Sequence, residues 1–454
     1  MRSRMRKAIS PLAVPAVVFF LSFPVLADSA PASRPAIVAD FDSTVVEETR
    51  ASTWKVIKYE HEMLKDWGYP DGSPKKPFVV CLPNEKAEHP PMIVYLHGAG
   101  GKAYTSLPTK MYGFGPEFVS LSLDCEGPKG PEGWYGLFWA QNDRQKYATT
   151  LAPPEQRYLA EIEWVVRKYG IDRNRIYLWG HSMGGSGTLG LGMARGDIFA
   201  AIWAGVPAGV DHVWMRMGFP PLLARPRTTQ PTSGRAVGST SQMVPGPDYL
   251  RRISGIGLPD APPVINFSSQ TDGWANNQEN FIQACHDGRH LLVFCWAPFG
   301  HTQNYETANP IALAYPWLSI RKDQAYPVFT DATSDQKYPG LNNKEGDQHG
   351  QINVYFRWKA VTDEPAKFQM DLWLADSKVT TRPVSIPESS TADITPRRLQ
   401  KFKVEAGKSY AWRVAEGDKV LQSGKARPDE VGLLTIPRVT ITAQARTLTI
   451  EPEK

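Results

Sequence analysis

The chain has 454 residues, 42% of them hydrophobic and 21% charged, which describes a folded globular protein too long for one ordinary domain. Four of the positive charges behind its net +5 are Arg2, Arg4, Arg6 and Lys7; without them the balance is about +1, and the pI of 8.8 gives no reason to expect nucleic acid as a partner.

Those four residues precede an apolar run from about Ile9 to Leu26, and Val25-Leu26-Ala27 offers a cleavage site. Residues 1–27 read as a secretory signal peptide cut after Ala27. Pro11, Pro15, Pro24 and the polar sequence that follows argue against a membrane anchor. A secreted or periplasmic protein is expected, with no stable membrane anchor once the leader is removed.

Residues 28–321 read as an α/β unit. Trp54–Tyr59 alternates like an early antiparallel strand. Then continuous apolar runs, suited to strands buried on both faces, occur at Phe78–Leu82, Met92–Leu96, Phe118–Leu123, Ile176–Trp179, Ala200–Ala204, Val264–Phe267 and Leu291–Trp296. Helical spacing over Gln156–Lys168 and around Phe281–Ala284 separates some of them, the pattern of a mostly parallel sheet flanked by helices. The proline-rich stretch over 210–259 is expected to be an insertion that caps the carboxyl edge of this sheet. Residues 322–351, rich in Asp, Asn, Gly and Pro, read as a linker. From 352 to 454 the period changes to two, as in Ile352/Val354/Phe356/Trp358 and Phe368/Met370/Leu372/Leu374, so a C-terminal all-β sandwich is expected. Trp373, on the face opposite Phe368 and Leu372, is expected to pack on the catalytic unit rather than to serve as a carbohydrate platform.

The chemistry centres on Gly180-His181-Ser182-Met183-Gly184, which follows the run Ile176–Trp179 and opens a segment of small residues. This is G-x-S-x-G between a strand and a helix, a turn so tight that glycine is needed around the serine, whose hydroxyl is pushed out above the sheet. A serine needs a base, and the base a carboxylate to orient it. His301 follows the last strand and is expected to be the general base; Asp272, after the strand Val264–Phe267, is expected to be its acid, with Asp211 and Asp260 as rivals. His286 and His290 flank a turn and are expected to be exposed. The oxyanion donors are expected to be the backbone N–H groups of Met183 and, in the loop Leu96-His97-Gly98-Ala99-Gly100-Gly101, of Ala99; His97 is expected to brace that loop. Trp139, in the aromatic stretch Trp134–Trp139, and Trp274, two residues beyond Asp272, are candidate substrate contacts. No C-x-x-C pattern and no His/Asp cluster at ligand spacing occurs, so no metal and no cofactor are expected. Cys81, Cys125, Cys285 and Cys295 allow three full pairings, of which one containing Cys285–Cys295 is favoured.

Leu96–Gly101, Asp172-x-x-Arg175-Ile176-Tyr177-x-x-Gly180-His181-Ser182-Met183-Gly184-Gly185, Asp272 and His301 together resemble the α/β-hydrolase superfamily. Within it they are most similar to secreted esterases of the feruloyl/acetylxylan esterase and polyhydroxybutyrate depolymerase group. The resemblance spans about Phe78 to Leu318 and implies a two-step acyl-enzyme reaction on a small-molecule or polysaccharide-linked ester. Prolyl-oligopeptidase-like serine peptidases carry the same signatures, and a binding scaffold that has lost its chemistry is the third reading. The short stretch between Ala27 and Phe78 leaves no room for the β-propeller of large oligopeptidases, which favours the esterase.

Overall fold

A computed structural model describes residues 37–453 apart from 38, 52–53, 86, 105–114, 128–129, 132, 135–150, 194, 208–260, 276–277 and 383. The expected leader, the expected cap, Trp139, Asp211 and Asp260 lie outside the described residues.

Strands β1 (Ser43–Ala51), β2 (Trp54–His61) and β3 (Lys76–Pro83) run antiparallel to one another in succession. Next come β4 (Met92–Leu96), β5 (Val119–Ser122), the two-residue strands β6 (Glu126–Gly127) and β7 (Gly130–Pro131), and helix α1 (Pro153–Tyr169). Then β8 (Ile176–His181) leads into α2 (Met183–Gly187), followed by β9 (Ala201–Gly205), β10 (Val264–Ser269), α3 (Gln278–Asp287), β11 (Leu292–Ala297), α4 (Tyr305–Ala308) and α5 (Pro310–Leu313). Apart from 3-10 turns at Trp317–Ser319 and Ser377–Val379, the remainder is built of strands: β12 (Tyr326–Thr330), β13 (Gly350–Ile352), β14 (Phe356–Glu364), β15 (Lys367–Leu374), β16 (Ser389–Arg397), β17 (Tyr410–Glu416), β18 (Lys419–Ala426), β19 (Ile436–Thr442) and β20 (Arg446–Pro452).

The large sheet has the order β1-β2-β3-β5-β4-β8-β9-β10-β11-β13. From β5 through β11 every neighbouring pair is parallel, and β3 joins β5 antiparallel. The eight strands from β2 to β11 follow the strand order of the α/β-hydrolase fold, as the resemblance implies. Burial on both faces explains the unbroken apolar runs. Along β8, Ile176 and Leu178 join the core beneath α1 and α3, while Tyr177 and Trp179 join the core of the opposite flank. Helix α1 begins on Pro153 and Pro154, the Glu155 carboxylate accepts the Ala152 N–H at 2.9 Å, and Gly170 ends it at φ 65°.

The C-terminal strands form two antiparallel sheets, β12-β16-β19 and β14-β15-β20-β17-β18. Phe329, Ile394 and Val439 of the first meet Phe356, Met370 and Leu448 of the second in one core. That core continues without a break through Tyr315, Trp317 and Ile320 to Trp203, Tyr177 and Ile93 on the large sheet. Trp373 is half-buried at this junction, beside Pro316, Ile320 and Tyr326.

Three expectations change here. The stretch 322–351, read as a linker, carries β12, all five of whose residues are buried, and the first two residues of β13, which pairs with β11 through Phe294↔Ile352. Its loop-like composition hides two short strands because the polar residues lie between them. The expected strand through Ile352 and Val354 is broken at Asn353, which turns the chain at φ 59°. Its side-chain amide donates to the carbonyls of Leu292 (3.0 Å) and Phe329 (3.1 Å), tying the large sheet to the C-terminal sheets. All four cysteines are buried thiols outside any disulfide. Cys285 and Cys295 lie in the cores on opposite flanks of the sheet, a separation that ten residues of sequence do not reveal.

Candidate active site

The turn from β8 into α2 dictates its own sequence. Ser182 sits at φ 59°, ψ −121°, outside the regions a side chain ordinarily prefers, and its N–H is held by the Gly205 carbonyl at 2.9 Å. A Cβ on Gly180 would lie 2.2 Å from the Gly184 carbonyl oxygen, and one on Gly184 1.9 Å from that of Leu96. Neither backbone atom can yield, so β8, β4 and the start of α2 close around the serine only with hydrogen at both positions.

At the carboxyl edge of the sheet, loops from three strands converge. The Ser182 Oγ lies 2.6 Å from His301 Nε2, and His301 Nδ1 lies 2.7 Å from Asp272 Oδ2. His301 follows β11, Asp272 follows β10, and Ser182 ends the turn after β8, so three separate loops hold one hydrogen-bonded chain. Two of its members differ in environment: the Asp272 side chain is 5% exposed and that of His301 40%. The other Asp272 oxygen accepts the Trp274 N–H at 3.0 Å, leaving the carboxylate anchored on both sides. Trp274 itself is 37% exposed, on the rim beside Asp272.

The loop after β4 lies against the serine. A Cβ on Gly98 would be 3.6 Å from that of Ser182, and Gly101 N–H closes a tight turn onto the Gly98 carbonyl at 3.0 Å. Ala99 is exposed at its crest, while Met183, half-buried, begins α2 on the other side of Ser182. The loop is rigidly backed. His97 is fully buried, its Nδ1 2.8 Å from the Gly98 carbonyl oxygen and its Nε2 accepting the Cys125 N–H at 3.3 Å, so the ring braces the loop as expected. The Ala103 N–H donates to Asp124 Oδ2 at 3.1 Å, and the buried Arg157 of α1 donates to the Asp124 carbonyl at 2.6 Å.

Two residues important to this geometry were not singled out in the sequence. Trp134 belongs to a stretch expected at the substrate edge, yet it is completely buried beneath the loop. Its indole N–H donates to the His97 carbonyl at 2.9 Å, and it occupies the space beside Gly187, where a Cβ would come within 2.3 Å. Tyr305 is hydrogen-bonded through its hydroxyl to His181 Nδ1. An aromatic in a short helix past the histidine carries no local signal of that contact. His181 is pushed down to about 4, by burial first and by the adjacent His301 second, with Asp272 opposing. His290, expected on the surface, is buried, its N–H donating to the Cys285 carbonyl at the end of α3.

The prolyl oligopeptidase family model matches residues 132–218, a segment that contains Ser182. Acetylxylan esterase A of Emericella nidulans is 26% identical over 137 residues, which is 29% of this chain; the match spans 43% of that relative's length. Among solved structures, the acetyl xylan esterase from Aspergillus awamori aligns with 16% identity and a TM-score of 0.36, covering 53% of this chain and 93% of that one. A CE1 ferulic acid esterase from Anaeromyces mucronatus, solved with ferulic acid, aligns with 16% identity and a TM-score of 0.37, covering 61% and 92%. The chain is thus similar to serine hydrolases, esterases prominent among them. No helix among the described residues is long and apolar enough to cross a membrane.

Proposed function

We propose that this α/β-hydrolase is a secreted serine esterase, cleaving carboxylic esters through an acyl-enzyme on Ser182, with acetyl or feruloyl groups on polysaccharides as its substrate class. The hydrogen-bonded chain from Ser182 through His301 to Asp272 carries this reading. In it, Ser182 Oγ–H donates to His301 Nε2, and the His301 Nδ1–H donates to Asp272. As Oγ attacks the ester carbon, His301 takes its proton, and Asp272 stabilises the imidazolium that forms. The N–H groups of Met183 and Ala99 receive the developing oxyanion, a contribution on the order of 3 kcal/mol for one donor. His301 returns the proton to the departing alcohol, then takes one from water, whose oxygen attacks the acyl carbon; as the bond from that carbon to Ser182 Oγ breaks, His301 gives this proton to Oγ and the acid leaves. Trp274, exposed next to the acid, is the proposed contact for a sugar or aryl group, and Trp139 a second. The C-terminal sheets brace the catalytic unit.

The prolyl oligopeptidase match favours a peptidase as the second reading, although it covers only the region of the nucleophile. The deciding experiment offers the protein beginning at Asp28, and its Ser182→Ala variant, a panel of p-nitrophenyl acetate and butyrate, methyl ferulate, acetylated xylan and a peptide anilide. Ester hydrolysis that vanishes in the variant is expected. Cleavage of the anilide alone would transfer the protein to the peptidases, and ester turnover by the variant would remove Ser182 from the mechanism.

A further inference from the structure

His181 stands between Ser182 and a residue the proposed mechanism does not use. Its Nδ1 is bound to the Tyr305 hydroxyl, and its ring lies 5.7 Å from that of His301, tilted by 44°. Tyr305 is 1% exposed and fixed by aromatic neighbours on two strands, Trp203 at 4.9 Å edge-on and Phe267 at 4.9 Å. Phe299, 6.1 Å away, belongs to the loop that carries His301. The hydroxyl occupies the space left by Gly205, where a Cβ would be 2.1 Å from it, and the Gly205 carbonyl is the acceptor that holds the Ser182 N–H. One glycine therefore admits the tyrosine and restrains the serine.

We infer that Tyr305 and His181 form a positioning pair for His301: the tyrosine pins the His181 ring in place beside the base, so that a single imidazole is left to exchange protons between Ser182 and Asp272. The inference rests on the esterase reading for its kinetics but not for its geometry. The phenol can donate to Nδ1 with the imidazole uncharged, so the contact needs no proton on the ring. A cation there would face the imidazolium that forms on His301 during acyl transfer, an unfavourable like-charge contact in a half-buried site. The groups facing His181 are Tyr305 from α4, His301 from the loop after β11 and Asp272 from the loop after β10. Burial and His301 both disfavour its charged form, and only Asp272 opposes them.

The test compares wild type with Tyr305→Phe, which keeps the ring and removes the hydroxyl, and with His181→Gln, which removes the second imidazole. Wild type should show an acid limb of kcat/KM with a slope of one. Tyr305→Phe should lower kcat about tenfold with KM little changed, and its limb should steepen toward two as His181 titrates. In the double variant Tyr305→Phe/His181→Gln the slope should return to one. Histidine Cε1–H resonances, followed against pH in the Ser182→Ala background, give the same answer without turnover: the His181 signal should titrate near 4 and move upward on Tyr305→Phe. An unchanged slope with kcat within twofold, or a His181 signal titrating near 6.5 in the parent, would overturn the pair. Loss of melting temperature alone, with slope and titration unmoved, would reduce Tyr305 to packing. Absence of ester hydrolysis in wild type would refute the esterase reading while the resonances still decide the pair.

Discussion

Asp272 shows how one side chain can be fixed to face another. Its Oδ1 is held by the Trp274 N–H, so Oδ2 faces His301 Nδ1 in a fixed direction and as an acceptor. Replacing it by Asn leaves the shape but offers an N–H where the carboxylate was. The amide can then present its donor to Nδ1, which moves the His301 proton to Nε2 and blocks acceptance from Ser182. We expect Asp272→Asn to fold with an unchanged circular dichroism spectrum and to lose about 10⁴-fold in kcat. Activity within tenfold of wild type would take the orienting role away from Asp272. Ser182, Asp272 and His301 could be brought forward as candidates from the sequence because each follows a strongly apolar run, and chain order in a parallel sheet constrains which loops share an edge. Tyr305 and Trp134 were not legible. Their roles depend on which buried backbone or side-chain group lies opposite, which no local pattern specifies.

At the scale of elements, the sheet was readable and its closing pieces were not. Runs such as Met92–Leu96 and Leu292–Ala297 are buried along their whole length, which makes their signal strong. β12 and β13 are short, set in polar loops, and become strands only because β16 and β11 offer them edges. Their junction carries an unusual acid. Asp335 is half-buried and accepts the Asn353 N–H at 2.8 Å; desolvation raises it from 3.8 to about 7, against that hydrogen bond. Since the folded state holds this proton more tightly than the unfolded one, its contribution is fully present below about pH 4 and is lost as pH rises to about 7. The loss amounts to no more than about 4 kcal/mol. Asp335→Asn keeps an acceptor without the charge, so its melting temperature should exceed that of wild type at pH 8 and match it at pH 4. Equal melting temperatures at both values would mean that Asp335 ionises without penalty.

On the scale of the whole molecule, the C-terminal strands are joined to the catalytic fold by a shared core, by the β11–β13 pairing and by polar ties such as Arg398 Nη1 to the carbonyls of Ala200 and Arg321, both at 3.2 Å. Cutting the chain before Tyr326 would expose Tyr315 and Trp317 along with the flank they cover. We expect the truncated protein to be insoluble, and the full chain to unfold in one calorimetric transition. Two separated transitions, or a soluble active fragment ending at Ala325, would make the C-terminal sheets an independent appendage.

By itself, the sequence determined the α/β class, the all-β character of the C-terminal region and the serine turn. Those properties follow from periodicity and from steric demands within a few residues of Ser182. Only the tertiary structure decided that the apparent linker is woven into two sheets, that Cys285 and Cys295 lie on opposite flanks, and that Trp134 and Tyr305 stand behind the site. Each of these depends on contacts between segments remote in sequence, where burial is set by the partner surface and not by the residue's own neighbours.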